Sequence, residues 1–261
     1  MKIATWNVNS LSVRLPQGLD WLAANPVDVL CLQERKLSDD KFPVDALRAA
    51  GYGCAVFGQK TYNGVAILAS VAMGEPADVV RNIPGFGDEQ ARVLAATLQA
   101  PGGSLRVVNG YFVNGQEPGS EKFAYKMRWL DALREFVRAE MAAHPRLVLL
   151  GDFNVAPEDR DSYDPVGLRE TIHHTSEERA HFQALIALGL HDAFRAFEQP
   201  EKSYSWWDYR EMGFRRNRGL RIDHILVSDA LRPTLQACVI DKAPRKNERP
   251  SDHAPVVVEL L

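Results

Sequence analysis

Three cysteines in 261 residues, Cys31, Cys54 and Cys238, are too few and too scattered for a disulfide framework or a zinc site. Their apolar neighbours make them buried thiols of a reducing compartment. No apolar run approaches the roughly 20 residues of a membrane helix. No targeting segment precedes the first strand-like stretch, so a cytoplasmic location with no membrane partner is expected. A strong charge of either sign is also missing: 31 Lys and Arg stand against 34 Asp and Glu, for a net −3. Bulk charge therefore gives no reason to expect a polyanionic partner. No linker, low-complexity tract or short-period repeat divides the chain, and residues 1–261 read as one domain.

What is present is apolar sequence in short runs, 46% of the chain. The central stretch is Leu147-Val-Leu-Leu-Gly-Asp-Phe-Asn-Val-Ala-Pro157. Leu147 to Gly151 reads as a strand buried on both faces, bounded by prolines. Asp152 and Asn154 stand two apart just past it. On extended backbone they project to the same side, at a strand end of the kind where open α/β sheets place ligands. The same pair also suits an Asx-turn that merely closes the strand.

Elsewhere, residues 2–9 read as a first strand ending in asparagines, and 28–33 as a second ending at Glu34. Leu15, Leu19 and Leu22 mark a helix stopped by Pro26. Strands are expected near 52–57, 64–70 and 91–99, with Pro101-Gly102-Gly103 turning the last into Leu105–Phe112 as a hairpin. A long amphipathic helix spans roughly 121–143, with Phe123, Met127, Leu130, Leu133 and Val137 facing inward. Thr175 and Glu178 form a capping-box signal for a helix closed by Gly189. Later strands fall at about 221–227, 236–241 and 256–261. Strands outnumber helices and several neighbours are hairpin-connected, so a layered sandwich with sheets inside and helices outside fits best.

Polar residues recur at these strand ends: Asn7, Glu34, Asp152, Asn154, Asp223, and Asp252 with His253. Each alone is an ordinary surface residue. Asp223 is the exception, because between Ile222 and Ile225 a buried charge needs a partner. His253 is the natural one, since a carboxylate orients an imidazole and raises its basicity. A set of carboxylate and amide oxygens with one His and no Cys suits a hard cation, Mg²⁺ or Mn²⁺. Such a set belongs to phosphodiester hydrolysis, with Glu34 the first choice of ligand. Tyr111 ends another strand, followed by Asn114; it is a core aromatic or a phenol aimed at the same phosphate.

Seven motifs in order carry a resemblance along essentially the whole chain. They are Trp6-Asn7-Val8-Asn9, Leu32-Gln33-Glu34, Asn109-Gly110-Tyr111-Phe112, Gly151-Asp152-Phe153-Asn154, Ser205-Trp206-Trp207-Asp208-Tyr209-Arg210, Asn217-Arg218-Gly219-Leu220-Arg221-Ile222-Asp223 and Ser251-Asp252-His253-Ala254-Pro255. The chain resembles the exonuclease III family of apurinic/apyrimidinic endonucleases, in the endonuclease/exonuclease/phosphatase superfamily. The resemblance implies a four-layer α/β sandwich with two central mixed β-sheets flanked by helices. It implies a Mg²⁺-dependent DNA-repair enzyme that cuts the phosphodiester 5′ to abasic sites in duplex DNA, with 3′→5′ exonuclease and 3′-phosphodiesterase or phosphatase activity. A monomer working in a bacterial-type cytoplasm, held at the nucleoid through its DNA, is the matching expectation.

By position, the resemblance makes Glu34 a metal ligand with Asn7 beside it, and Asp152 the general acid/base with Asn154 as its positioning neighbour. Asp223 with His253 forms the carboxylate–imidazole pair on the phosphate, Asp252 is an outer ligand or orienting group, and Tyr111 contacts the phosphate. Asp152, Asn154, Asp252 and His253 join Glu34 and Asn7 as candidate metal-site residues. Arg35, where a small hydroxyl residue is common, and Val113, where proline often follows Tyr-Phe, depart from the family pattern.

For DNA binding, residues 210–249 hold ten Lys or Arg against five acids. Such a patch can neutralise phosphates, although charge runs are more often simply solvated. Trp206, Trp207 and Tyr209 adjoin it. By family position Trp206 is the expected wall of a pocket for a base-less sugar, and Trp207 is the alternative candidate for simple core. Asn9, Asn114, Arg218 and Arg221 are the further substrate-binding candidates. Residues 244–249 read as an exposed loop near the site. His144, His173, His174, His181, His191 and His224 show no metal spacing and receive no role.

Overall fold

The computed structural model describes residues 1–261. Fourteen strands and four α-helices follow one another as β1 (Lys2–Asn7), α1 (Leu11–Ala24), β2 (Val29–Gln33), α2 (Val44–Ala49), β3 (Tyr52–Phe57), β4 (Val65–Ser70), β5 (Ala77–Arg81), β6 (Val93–Ala100) and β7 (Gly103–Tyr111). Then come α3 (Glu121–Ala143), β8 (Leu147–Asp152), α4 (Ser176–Ile186), β9 (Leu190–Asp192), β10 (Trp206–Trp207), β11 (Gly219–Leu220), β12 (Asp223–Ser228), β13 (Leu235–Ile240) and β14 (Val256–Leu260).

Two six-stranded sheets result, in the orders β13-β14-β1-β2-β4-β3 and β5-β6-β7-β8-β12-β9. Each is antiparallel except for one parallel pair at its centre, β1 with β2 and β7 with β8. The inner faces meet in a core of 24 buried residues that includes Ile3, Val29 and Ile67 from one sheet and Val107, Val148 and Ile225 from the other. The outer face of the second sheet packs Val108, Leu149 and Leu226 against Phe123, Leu130 and Leu133 of α3 and Phe182 of α4. The outer face of the first packs Ala4, Leu30 and Leu68 against Trp21 and Leu22 of α1 and Leu47 of α2. The order is helix, sheet, sheet, helix.

β8 shows why its sequence lacks polar alternation. Val148 and Leu150 point to the inner core and Leu147 and Leu149 to the helices, so neither face meets water. Helix α3 starts where Ser120 Oγ accepts the Phe123 N–H at 3.1 Å, and α4 starts at the Thr175–Glu178 capping box. Each such cap contributes about 1 kcal/mol. The sequence reading missed β5, β9 and the two-residue hairpin strands β10 and β11, which are too short or too exposed to show a period of two. The three cysteines are unpaired.

Candidate active site

The parallel strands fix where the polar residues meet. β1, β2, β7 and β8 all end at one edge of the sandwich, delivering Asn7, Glu34, Tyr111 and Asp152 there. The antiparallel strand β12 begins at that edge, with Asp223 in register opposite Asp152. The turn 251–255 before β14 brings Asp252 and His253 to the same place. Asn7 ties the two sheets together: its Nδ2 donates to Glu34 Oε2 at 3.0 Å and to Asp152 Oδ2 at 2.9 Å. Glu34 also pairs with Lys36, Oε1 to Nζ at 3.0 Å.

Asp223 has the partner its burial demands. Its Oδ2 accepts from Ser205 Oγ at 2.7 Å and lies 2.8 Å from His253 Nδ1. The far side of that ring, Nε2, stands 3.7 Å from Asp152 Oδ2. Asp152, Asp223 and His253 present ligand atoms all within 4.8 Å of one another. Burial pushes the Asp152 carboxyl up to about 7; nearby Asp223 adds to this, and His253 opposes it. Burial alone would lower His253, but the Asp223, Asp152 and Asp252 carboxylates outweigh it and raise the imidazole to about 10. Burial, followed by the Glu34 and Asp152 charges, holds the Tyr111 phenol well above its ordinary value, so it stays a donor. The Arg92 guanidinium lies 5.3 Å over its ring.

Two carboxylates buried this close, with one raised toward neutrality, mark a cluster short of positive charge. Its donors are carboxylate oxygens and one imidazole with no thiol, so a hard divalent cation fits.

Around this centre the structure sorts the other sequence candidates. Asn154 leaves the extended backbone expected of it, at φ +51°, and its N–H donates to Asp152 Oδ1 at 3.0 Å. The Asx-turn is therefore present at the same residues that converge on the site. Asn114 Nδ2 reaches Asn154 Oδ1 at 3.3 Å. Both oxygens of Asp252 are engaged, by Asn9 Nδ2 and by Trp206 Nε1, each at 2.9 Å. Asp252 thus ties Asn9 and Trp206 of the rim together. Trp206 bridges to His253 through the backbone and walls a neighbouring cavity of about 380 Å³ with Ile172, His173, Leu168, Leu220 and Arg218.

Arg221 requires a correction: it is not at the substrate surface. It is 1% exposed, with Nε 2.7 Å from Asp161 and Nη2 2.8 Å from Asp192, and Nη1 touches His224 Nδ1 at 3.0 Å. Arg245 also leaves the basic patch: residues 243–246 form a short 3₁₀ turn that buries Pro244 and Arg245, while Lys246 to Arg249 are exposed as expected of the loop 244–249. The Arg245 guanidinium is buried over the rings of Trp207, Tyr209 and Phe214. Arg218 remains exposed, paired with Glu211 at 3.2 Å. Trp207 is core. Of the departures from the family pattern, Arg35 is buried, paired with Asp39 and stacked 4.8 Å over Phe42.

Sequence reading missed three contributors. Ser205 opens one of the seven motifs but received no role, although its hydroxyl donates to Asp223. His173 contacts the Asn154 carbonyl through Nδ1 at 2.6 Å. Lys126 donates to that same carbonyl. The signal for Lys126 was a lysine three residues after Phe123 on the apolar stripe of α3.

A model of the "Endonuclease/Exonuclease/phosphatase family" matches residues 4–253. Exodeoxyribonuclease III of Haemophilus influenzae is 36% identical over 269 residues, covering all of both chains. A solved 3′ phosphatase, NExo from Neisseria, bound to a product DNA hairpin, is 52% identical with a TM-score of 0.95, covering 100% of this chain and 99% of that one. An AP endonuclease from Archaeoglobus fulgidus is 34% identical at a TM-score of 0.93, with the same coverage.

Proposed function

Because this chain belongs to the Endonuclease/Exonuclease/phosphatase family, we propose that it is a Mg²⁺-dependent DNA-repair hydrolase. It removes phosphate groups and nucleotides at DNA 3′ ends, and at the same centre it cuts the phosphodiester 5′ to an abasic site. The observation that carries this is the buried Asp152–His253–Asp223 cluster at the meeting edge of the two sheets. The relatives named exodeoxyribonuclease III, 3′ phosphatase and AP endonuclease support DNA as the substrate. The 52% identity to the Neisseria phosphatase supports 3′-end work as the leading activity.

The chemistry is addition of water to phosphorus and loss of an ester oxygen, which takes up a proton. Asp152, held at about 7, can exchange that proton near neutral pH. His253, kept protonated by Asp223, is placed to hold negative charge on the phosphoryl oxygens. Tyr111 and Asn154 offer further donors to the same group. Glu34, tied through Asn7 to Asp152, would hold Mg²⁺, whose chemistry is neutralisation of the phosphate and of the departing oxygen. Trp206 and the cavity beside it would receive the terminal or base-less sugar.

Work on duplex DNA fits a rim that keeps Arg218, Arg210 and Lys246 in solvent. No helix is long and apolar enough to cross a membrane. The deciding experiment uses one labelled duplex carrying both an abasic site and a 3′-phosphate end, with Mg²⁺ and with EDTA. Loss of the 3′-phosphate and nicking 5′ to the abasic site, both stopped by EDTA, are expected. Full activity in EDTA would refute the metal-dependent mechanism.

A further inference from the structure

A buried ammonium lies just behind the reacting groups. Lys126 projects from α3 into the interior and is fully buried, as is its partner Glu178. An ammonium has three N–H donors and no acceptor. All three are used, on the Asn154 carbonyl at 2.8 Å, the Asn114 carbonyl at 3.1 Å and Glu178 Oε1. The two carbonyls belong to the loops that leave the two central strands of the second sheet, β7 and β8. Glu178 is itself fixed, because its other oxygen closes the α4 capping box on Thr175 N at 3.1 Å and Thr175 Oγ1 at 2.8 Å. Room for the lysine stem is provided by Gly115, at φ +89°, where an added Cβ would stand 2.8 Å from Lys126 Cδ.

What the ammonium holds is the carbonyl of Asn154, the residue whose own N–H, in the preceding peptide group, caps Asp152. Asn154 sits in the left-handed region, where the orientation of its peptide groups has to be maintained by neighbours. With its carbonyl on Lys126 and also within 2.6 Å of His173 Nδ1, its N–H faces Asp152 Oδ1 at 3.0 Å and its Nδ2 faces the Phe112 carbonyl at 3.0 Å. The second clamped carbonyl, of Asn114, belongs to the residue whose Nδ2 meets Asn154 Oδ1. A purely structural need at this place would be met as well by an apolar pair, since buried ion pairs often contribute little net stability.

We infer that Lys126, seated by Glu178, is a positioning residue that sets the Asp152 carboxylate and the Asn154 carboxamide for hydrolysis through the Asn154 and Asn114 carbonyls. It touches no substrate. This rests on the roles proposed above for Asp152 and Asn154.

The test compares the whole wild-type protein with Glu178→Gln, Lys126→Arg and the double variant Lys126→Met/Glu178→Gln. Each is checked for fold by circular dichroism and thermal melting, and assayed on 3′-phosphate duplex in Mg²⁺. The double variant removes both charges, so no lone charge stays buried. Its kcat should fall about 30-fold with KM within about threefold, the size of a lost charge-assisted hydrogen bond. Glu178→Gln keeps the ammonium on its two carbonyls and should keep kcat within about threefold while melting lower. Lys126→Arg keeps the charge but places its donors on a planar head, and should lose about fivefold to tenfold in kcat at constant KM. Unchanged kcat in a folded double variant, or in Lys126→Arg if the double variant does not fold, overturns the inference. An inactive wild type would instead overturn the proposed function.

Discussion

His253 Nδ1 lies 2.8 Å from Asp223 Oδ2, and this contact aims the opposite nitrogen of the ring toward Asp152. The carboxylate decides both the charge and the direction of the imidazole. Asp223→Asn keeps the shape and removes the charge. It should cost about 10²–10³ in kcat, through loss of positive charge at the phosphoryl oxygens. Single-turnover rates on 3′-phosphate duplex measure this; a wild-type rate would remove Asp223 and His253 from the chemistry.

Asp152 is placed to exchange protons and is not an anchor for DNA. Asp152→Asn should lower turnover by about 10²–10⁴. Affinity for DNA should stay within a few-fold, as read by gel shift beside the rate. Turnover close to wild type would end its assignment as proton carrier.

Glu34 is the carboxylate of the centre that lies nearest solvent and pairs with Lys36. Glu34→Gln should raise the Mg²⁺ needed for half-maximal activity by about 10–100-fold, a loss typical of damage to a metal site. A Mg²⁺ titration of the rate tests it, and an unaltered midpoint would place the ion elsewhere.

Arg221 and Arg218 stand three residues apart and should behave in opposite ways. Arg221→Met leaves Asp161 and Asp192 buried and short of their counter-charge, and should cost about 3–5 kcal/mol in denaturant unfolding. Its effect on the salt dependence of DNA binding should be nil. Arg218→Ala should leave stability alone and lower that salt slope by about one. Similar behaviour of the two variants would contradict this division.

His224 links pH to stability. Burial first, then the Arg221 guanidinium, pushes its imidazole down to about 4, while in the unfolded chain it titrates near 6.5. Below 6.5 the unfolded state therefore binds a proton that the folded state refuses. Stability is present above that pH and falls as pH drops toward 4, at up to about 1.4 kcal/mol per pH unit from this group. Urea unfolding at pH 7, 6 and 5 should show the slope, and His224→Phe should flatten it.

The parts legible in the sequence were those whose cause is local. The buried run of β8, the apolar stripe of α3 and the capping box of α4 each write their reason within a few residues. The Asp223–His253 pairing was also legible, because an aspartate between two isoleucines demands a counter-charge and the chain offered few. What could not be read was the fate of individual charges. Arg221 is surrounded in sequence by other arginines and looked like part of a DNA-facing patch. Only Asp161 and Asp192, 60 and 29 residues away, reveal it as an interior ion pair. Arg245 misled for the same reason, since the rings that cover it come from residues 207–214. Lys126 was passed over because its three acceptors lie 12, 28 and 52 residues away.

The turn at Pro101-Gly102-Gly103 is exposed and joins β6 to β7 within the second sheet. A break there gives an amino-terminal piece with β1 to β6 and a carboxyl-terminal piece with β7 to β14, so each piece carries unfinished portions of both layers. Asn7 and Glu34 travel with one fragment, Asp152, Asp223 and His253 with the other. Mixing the two halves should therefore restore DNA cleavage only where they dock, which makes this hairpin a natural cut point for a split reporter of molecular encounters.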